Sequence, residues 1–387
     1  MCFLGEQGVV ATPSAQTSHT MCGLVVLEPF LGGSHALLVQ ALQESFPGST
    51  RVLGLKDAKW HWKLRTAAAV FAERIPEDLE SHEVLFASSM LNLAELVALR
   101  PDLLSKRKVF YFHENQLAYP VQKAADTDFQ LSWIQIVSAA VADVVLFNSE
   151  FNMRSFLEGI PRIVRSIAST ECRPKHLLDR ISNKCFVAYF PICLPPVSLL
   201  PPKSLDSSGP LTILWSHRME HDKNPLEFFR VVQRLASKEL SFRLVILGQA
   251  YDQVPDEVSH LIELVKSRII HLGFCESKAE YWKCLRLCDV VVSTAHHEFF
   301  GVSVMEAVHG GCFPILPNRV VYPELYPKQC LYNTQSQLFK ILKSLCYEKE
   351  LDKLRRRSSP WNLEFDGTRF FKEFFSKFSE TVLTASS

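Results

Sequence analysis

Short apolar runs rich in β-branched residues alternate along this chain with helix-length stretches whose apolar residues recur every three or four positions. From residue 22 the strand candidates are CGLVVLE (22–28), RVLGL (51–55), EVLFAS (83–88), KVFYF (108–112) and DVVLF (143–147), and CFVAYF (185–190) closes the series. The stretches between them, such as SHALLVQALQESF and LNLAELVAL, carry the helical period. Strands alternating with helices predict parallel βαβ units with right-handed crossovers. The alternation stops at PICLPPVSLLPPKSLDSSGP (191–210), where repeated prolines cannot feed a central strand and predict a semi-rigid linker. It resumes with LTILWS (211–216), FRLVILG (242–248), RIIHLG (268–273), DVVVST (289–294) and CFPILP (312–317). A basic piece, EKELDKLRRRSSPW, then leads to FFKEFFSKF (370–378), predicted as a terminal helix packing its phenylalanine face on a domain.

This pattern predicts an α/β protein of two Rossmann-like domains. A polar, disordered leader occupies 1–21, with Met21 as an alternative start. The first domain spans 22–190, the linker 191–210, the second domain 211–360, and a helix with its tail 361–387. The halves echo each other. VADVVLFNSEF (141–151) and LCDVVVSTAHHEF (287–299) both run small or apolar residue, Asp, three apolar residues, then polar. Duplication and shared strand physics account for the echo equally well.

At 387 residues, 47% hydrophobic and 21% charged, the chain has material for two or three domains. A net charge of +1 gives no global field for nucleic acid or an anionic membrane, so any polyanion must be met by a local patch. No apolar run approaches the roughly 20 residues of a membrane span, and the leader lacks the features of a signal peptide. The eleven cysteines are scattered. Cys284 and Cys288 are the closest pair, in a C-x-x-x-C spacing that suits neither a zinc knuckle nor a thioredoxin-type motif. They read as reduced, mostly buried thiols of an intracellular protein.

Ligands of open α/β sheets sit off the carboxyl ends of strands, and the candidate chemistry falls there. HEFFGVSVMEAV (297–308) sets two glutamates eight positions apart. On one continuous helix their side chains would lie about 80° apart. A shared site therefore requires Glu298 on a loop and Glu306 a turn inside the following helix. Gly301 permits close backbone approach, and a helix starting near Val302 directs amides at an anion. HRMEHDKNP, after LTILWS, supplies Arg218 and Lys223, a bidentate fork and a point charge suited to a diphosphate. A solvated cation pair is the plainer alternative, which coincidence with the glutamates disfavours.

In the first half, LEPFLGGSHALL places Gly32 and Gly33 between strand and helix with Ser34 as N-cap, a turn able to approach a phosphate or sugar. It is not the G-x-G-x-x-G fingerprint, and a simple helix-opening turn is the alternative. YFHENQLAYP sets His113, Glu114 and Asn115 at a strand end, and Asn148 in FNSEF holds the matching place on the next strand. LKDAKWHWKLRT interleaves Trp60, His61 and Trp62 with Lys56, Lys59, Lys63 and Arg65, a pattern for base stacking with phosphate pairing. One core tryptophan among solvated cations would look the same. RPKH (173–176) and the arginines at 355–357 are further basic patches.

Glu-x7-Glu in the form EFFGVSVME, with the R-x4-K segment opening the second domain, resembles the retaining GT-B glycosyltransferases of family 4 type. The resemblance implies the GT-B fold, two Rossmann-like domains with parallel sheets facing each other across a cleft. The first domain would bind the acceptor and the second the nucleotide-sugar. Glu306 would hold the nucleotide ribose, and Glu298 the donor sugar with the amides of Phe300 and Gly301. Arg218 and Lys223 would grip the diphosphate and stabilise the leaving group. His113 would lie beside the donor sugar, and Gly32 and Gly33 join the nucleotide-sugar set. DTD (126–128) spells the D-x-D of metal-dependent glycosyltransferases but opens a helix-like run. It reads as acid complementing a helix dipole, and no metal or other cofactor is expected.

The ordered segments EPFLGGSH, KWHWKLRT, FASSMLNLAEL, YFHENQLAYPV, FNSEFNM, HRMEHDK and EFFGVSVMEAV extend the resemblance over 22–380, to the branch of that family that mannosylates queuosine in tRNA. The leader and a short stretch between Leu194 and Leu211 depart from it. This implies GDP-mannose as donor and the queuosine cyclopentenediol at the wobble position of tRNA-Asp as acceptor, with retention of configuration. Lys59, Trp60, His61, Trp62, Lys63, Arg65 and Asn115 would meet the tRNA. Neither a membrane nor an obligate protein partner is implied, and the location is the cytoplasm, with the nucleus left open. The alternatives are a same-fold enzyme acting on a lipid or glycan, a GT-B nucleotide-sugar epimerase, and a non-catalytic RNA-binding protein. Intact Arg218, Lys223, Glu298 and Glu306 argue against the last.

Overall fold

The computed structural model describes residues 23–77, 79, 82–118, 129–203, 209–248, 254–356 and 367–383. The leader, the DTD run and Arg357 lie outside them. The chain divides into two compact units, 1–193 with 370–387, and 194–369.

The first unit holds strands β1 (Gly23–Leu31), β2 (Thr50–Lys56), β3 (His82–Ser88), β4 (Arg107–Phe112), β5 (Val144–Phe147) and β6 (Cys185–Val187). Between them run α1 (Gly33–Ser45), α2 (Trp60–Arg74), α3 (Leu93–Leu99), α4 (Phe129–Val141), α5 (Glu150–Ser166) and α6 (Leu177–Ser182). The strands pair in parallel in the order β2-β1-β3-β4-β5-β6. Alternate strand residues serve opposite faces. Val25, Leu27, Leu85, Phe110, Phe112 and Phe147 join the cluster that includes α2 to α5. The other face carries Phe86 and Tyr111. Because both faces of β1, β4 and β5 are covered, these strands read as continuous apolar runs, while edge strand β2 alternates between half-buried and exposed.

The second unit repeats the plan with β7 (Leu211–Trp215), β8 (Phe242–Leu247), β9 (Ile269–Gly273), β10 (Val290–Val292), β11 (Phe313–Pro317) and β12 (Leu331–Tyr332). Its helices are α7 (Pro225–Ala236), α8 (Asp256–Val265), α9 (Lys278–Leu287), α10 (Val302–His309), α11 (Tyr322–Leu325), α12 (Gln335–Leu345) and α13 (Glu348–Arg356). The parallel order is β12-β11-β10-β7-β8-β9. The expected strands all form; β12 has only two residues, too few to register as an apolar run. The terminal helix α14 (Gly367–Phe378) belongs with the first unit. Phe374 and Phe378 are buried there, their rings 5.8 Å from Tyr111 and 6.0 Å from Phe86.

Ser34 does not cap α1. Gly32, in extended backbone, holds that position without a side-chain bond, and Gly33 opens the helix at φ 53°. The proline-rich stretch is strapped to the second unit. Pro195 O meets His309 Nε2 at 2.7 Å, Pro201 O accepts from Arg286 Nε at 2.8 Å, and Lys203 Nζ donates to Gly311 O.

A physical cause lies behind the echo between the halves. Asp143 Oδ2 accepts from Lys108 N at 2.7 Å while its own amide donates to Lys108 O at 2.8 Å. Asp289 makes the same pair with Thr212, at 2.9 Å in both directions. Each aspartate thus locks its strand to the neighbouring one, and each needs a cation. Lys108 Nζ lies 2.7 Å from Asp143, and Arg355 grips Asp289 through Nε at 2.8 Å and Nη2 at 3.1 Å. Arg355 is therefore a structural residue, not part of a basic surface patch. Asp289→Ala leaves that largely buried guanidinium without its carboxylate, holding only the carbonyls of Gly209 and Pro210, and should lower the unfolding free energy by about 3 kcal/mol in a urea titration.

Candidate active site

In both sheets the strand order reverses direction once, between β1 and β3 and between β7 and β10. Such a switch point opens a crevice at the carboxyl ends of its strands. In the second unit the loops leaving β7 and β10 are tied together there. The amides of His296 and His297 donate to Asp222 O at 2.8 and 3.2 Å. Thr294 Oγ1 bonds the carbonyls of Lys223 and Asn224 at 2.9 and 3.0 Å. Asn224 turns the chain at φ 51° and caps α7 by accepting from Glu227 N. Arg319 donates to the carbonyls of Thr294 and Ala295, both at 2.9 Å. Beside it Val320 holds φ 54°, costly for a β-branched residue and a mark of stored strain.

This knot brings Lys223 and Glu298 together. The largely buried ammonium has three oxygen neighbours, His297 O at 2.9 Å, Asp222 Oδ2 at 3.0 Å and Glu298 Oε2 at 3.3 Å. Burial alone would lower the Lys223 pKa, but Glu298 and Asp222 outweigh it and raise it. Glu298 shifts down, since Lys223 overcomes the burial that opposes ionisation. Glu298 lies on the loop and Glu306 in α10, as a shared site requires. Gly301 opens α10 at φ 82° without a side-chain cap, and the Glu298 side chain packs over it. Phe300 is buried beside it.

Glu306 accepts from Tyr281 Oη on α9 at 2.7 Å, and burial raises its pKa. Arg218 is half exposed and pairs with Glu220 at 3.0 Å. The structure thus joins Lys223 to Glu298, while Arg218 and Glu306 contact other partners.

Sequence reasoning passed over four residues of this region. Asp222 drew no attention inside HDK, although an acid next to a buried lysine is its natural partner. His217, at the β7 exit, is buried, and its pKa falls to about 4 through burial and Lys223. His217 Nε2 and Ser216 Oγ have no hydrogen-bond partner among the described residues. Gly248 was legible only as the end of a strand; a Cβ there would sit 2.1 Å from His217 O. Tyr281 had no local signal at all.

In the first unit, Glu28 is buried at the end of β1, accepting from Ser88 Oγ at 3.0 Å and the Phe30 amide at 2.9 Å. Its other oxygen lies 3.0 Å from His35 Nδ1. Burial opposes protonation of His35, but Glu28 outweighs it and raises the pKa. The His35 ring stacks on His113, centroids 3.9 Å apart. Burial, then His35, drives His113 well below the usual histidine range. His113 is therefore a neutral imidazole whose Nε2 has no hydrogen-bond partner among the described residues, the condition of a group awaiting a ligand. Glu28, His35 and His113 lie close enough to share a cation, but His35 Nδ1 is committed to Glu28.

Asn115, expected to meet the acceptor, is fully buried. Its Nδ2 donates to Asn152 Oδ1 at 2.8 Å and Ser155 Oγ at 3.0 Å, and its Oδ1 accepts from Ala118 N. Asn148 is buried too, donating to His113 O at 2.7 Å. These amides hold the strand end that carries His113. They fit structural roles, because a buried amide with its groups engaged has none to offer a ligand.

Trp60 and Trp62 lie in the first turn of α2, 39% and 58% exposed, so neither is a core residue. Lys59 and His61 are exposed beside them, and Lys63 and Arg65 half-buried. Arg65 donates to His61 O at 2.8 Å. The Gly32 turn approaches this loop, since a Cβ on Gly32 would strike the Asp57 side chain.

Two family profiles match the chain. One described as tRNA-queuosine alpha-mannosyltransferase N-terminal covers 23–192, and one described as Glycosyl transferases group 1 covers 199–326. The tRNA-queuosine alpha-mannosyltransferase of Drosophila melanogaster is 41% identical over 354 residues, 89% of this chain and 92% of that protein. The mouse alpha-1,3/1,6-mannosyltransferase ALG2 is 27% identical over 230 residues, 55% of this chain and 52% of its own. Anabaena HepE in complex with UDP and glucose shares the fold at TM-score 0.65 and 13% identity, over 92% of this chain and 99% of that one. A trehalose-6-phosphate synthase studied for glycosyltransfer with retention does so at 0.67 and 13%, over 92% and 99%.

Two tests follow from the geometry. Histidines held near 4 when folded and near 6.5 when unfolded leave the unfolded state binding more protons between those values. Stability should therefore fall as pH drops from 7 to 5, by about 1–2 kcal/mol for each of His217 and His297. His217→Asn should flatten that slope in urea titrations run across the range. Gly248→Ala forces the loop at His217 to move and should destabilise by about 1–3 kcal/mol; an unchanged urea midpoint would contradict the close approach.

Proposed function

The chain belongs to the tRNA-queuosine alpha-mannosyltransferase family, and from that premise we propose that it transfers mannose from GDP-mannose to queuosine at the wobble position of tRNA-Asp with retention of configuration. It is a hexosyltransferase built from two Rossmann-like units of GT-B type. Acting on tRNA, it works in the cytoplasm, with the nucleus as a second compartment. The observation that carries the assignment of roles is the half-buried Lys223–Glu298 pair at the β7/β10 switch point, with Glu306 in the helix that follows.

In this reading the donor diphosphate displaces the longest of the three Lys223 contacts, the 3.3 Å one to Glu298. The ammonium then serves the phosphate, and the released carboxylate accepts from the sugar hydroxyls with the amides of Phe300 and Gly301. Arg218 and the uncapped start of α10 add charge stabilisation as the diphosphate departs. Glu306 accepts from the ribose hydroxyls, its other oxygen held by Tyr281. Neutral His113 bonds a sugar hydroxyl through Nε2, with Gly32 and Gly33 lining the approach. Cations and amides meet the diphosphate, so the transfer is proposed to proceed without a metal or other cofactor. Lys59, Trp60, His61, Trp62, Lys63 and Arg65 present stacking surface and charge to the anticodon loop.

Incubation with radiolabelled GDP-mannose and queuosine-containing tRNA-Asp should put label on the RNA. Label on lipid or glycan instead would favour the same-fold alternative. Glu306→Gln should raise KM for the donor about tenfold, and Arg218→Ala should mainly lower kcat, by about 10²-fold. Undiminished transfer by both variants would falsify the site assignment.

A further inference from the structure

The turn from β9 into α9 gathers three metal-binding side chains that glycosyl transfer leaves unused. His271 lies in β9, Cys275 in the turn and Cys284 in α9. Cys275 Sγ is 3.8 Å from Cys284 Sγ and 3.7 Å from His271 Nε2. One ligand atom from each of the three falls within 4.8 Å of both others. A tetrahedral zinc, with Zn–S about 2.3 Å and Zn–N about 2.0 Å, sets its sulfurs about 3.8 Å apart and a sulfur–nitrogen pair about 3.6 Å apart. The two separations observed are those of tetrahedral edges. A disulfide would need the sulfurs about 2.0 Å apart.

The surroundings fit a structural ion. Cys275 and Cys284 are buried and His271 half-buried, so the cluster sits at the rim of the unit. Glu280 stands four residues before Cys284 on α9 and therefore on the same helical face. Its carboxylate accepts from the Glu276 amide at 3.2 Å, over the same turn.

We propose that His271, Cys275 and Cys284 bind a zinc ion whose fourth position is taken by a water. Binding exchanges two thiol protons for the metal and involves no change of oxidation state. The ion pins the start of α9, the helix whose Tyr281 donates to Glu306. Its part is structural and separate from the transfer step.

Elemental analysis of the full chain after dialysis should find about one zinc per chain. Cobalt added to zinc-stripped protein should give the intense thiolate-to-metal absorption that only cysteine ligands produce. Cys284→Ser should drop the zinc content to background with the circular dichroism spectrum retained. Should that variant not fold, His271→Asn provides the reading, through weakened cobalt binding that keeps the thiolate band. The proposal is overturned if wild-type protein holds no zinc and gives no cobalt spectrum. It also fails if Cys275→Ser and Cys284→Ser leave zinc content unchanged, or if the two cysteines are isolated joined as a disulfide.

Discussion

An ammonium largely withdrawn from water cannot be left without oxygen partners, and Lys223 satisfies that demand by drawing two loops together. Removing a charge from water costs several kcal/mol unless ion pairs and hydrogen bonds replace hydration. Lys223 therefore requires Asp222 from its own loop, and both the carbonyl of His297 and the carboxylate of Glu298 from the loop after β10. Once those contacts form, the Asp222 carbonyl receives the His296 and His297 amides, and Gly301 is fixed at the head of α10. One cation thus ties Glu298 and the head of α10 to the loop after β7, while Arg218 on that loop pairs with Glu220.

The first unit solves a different problem with the same topology. Its switch point holds a carboxylate, Glu28, that raises the pKa of His35 beside it, while burial, then His35, holds His113 well below the usual histidine range. A neutral imidazole can donate or accept but brings no charge, which suits a sugar hydroxyl better than a phosphate. The Asn115, Asn148 and Asn152 amides hold the backbone under it. The second unit's switch point carries fixed charges, and the first unit's a tuned neutral group.

How much of this the sequence disclosed follows from the range of each interaction. Strands buried on both faces announce themselves as apolar runs, so the expected ones appear, while two-residue β12 does not. Glu298 and Glu306 were legible because loop and helix geometry acts over eight residues. The echo of Asp143 and Asp289 was visible but not its cause, since the amides they bind lie 35 and 77 residues away in sequence. Tyr281 pairs across 25 residues, and Cys275 faces Cys284 because a turn and a helix fold one onto the other. Spacing paired Cys284 with Cys288, in a pattern suited to neither zinc nor redox chemistry, and the Cys288 thiol bonds Cys284 O. Ser34 is not the cap; Gly32, where a Cβ would strike Asp57, holds that position.

The charge around Lys223 constrains how a donor can bind in the proposed role. One ammonium faces two carboxylates, and His217 and His297, near 4, add no charge at neutral pH. The cluster therefore carries a net negative charge before any diphosphate arrives, and a diphosphate adds more. Lys223 cannot supply the attraction alone. The balance falls to half-exposed Arg218, which solvent and Glu220 leave able to reorient, and to the uncapped amides of α10. Glu298 must in turn exchange its cation for sugar hydroxyls, which cost it less when they come already aligned. Such a site favours the intact nucleotide-sugar, whose hydroxyls occupy the displaced carboxylate. The bare nucleotide left after transfer lacks those hydroxyls, so Glu298 returns to Lys223 and competes with the diphosphate for it, which favours product release.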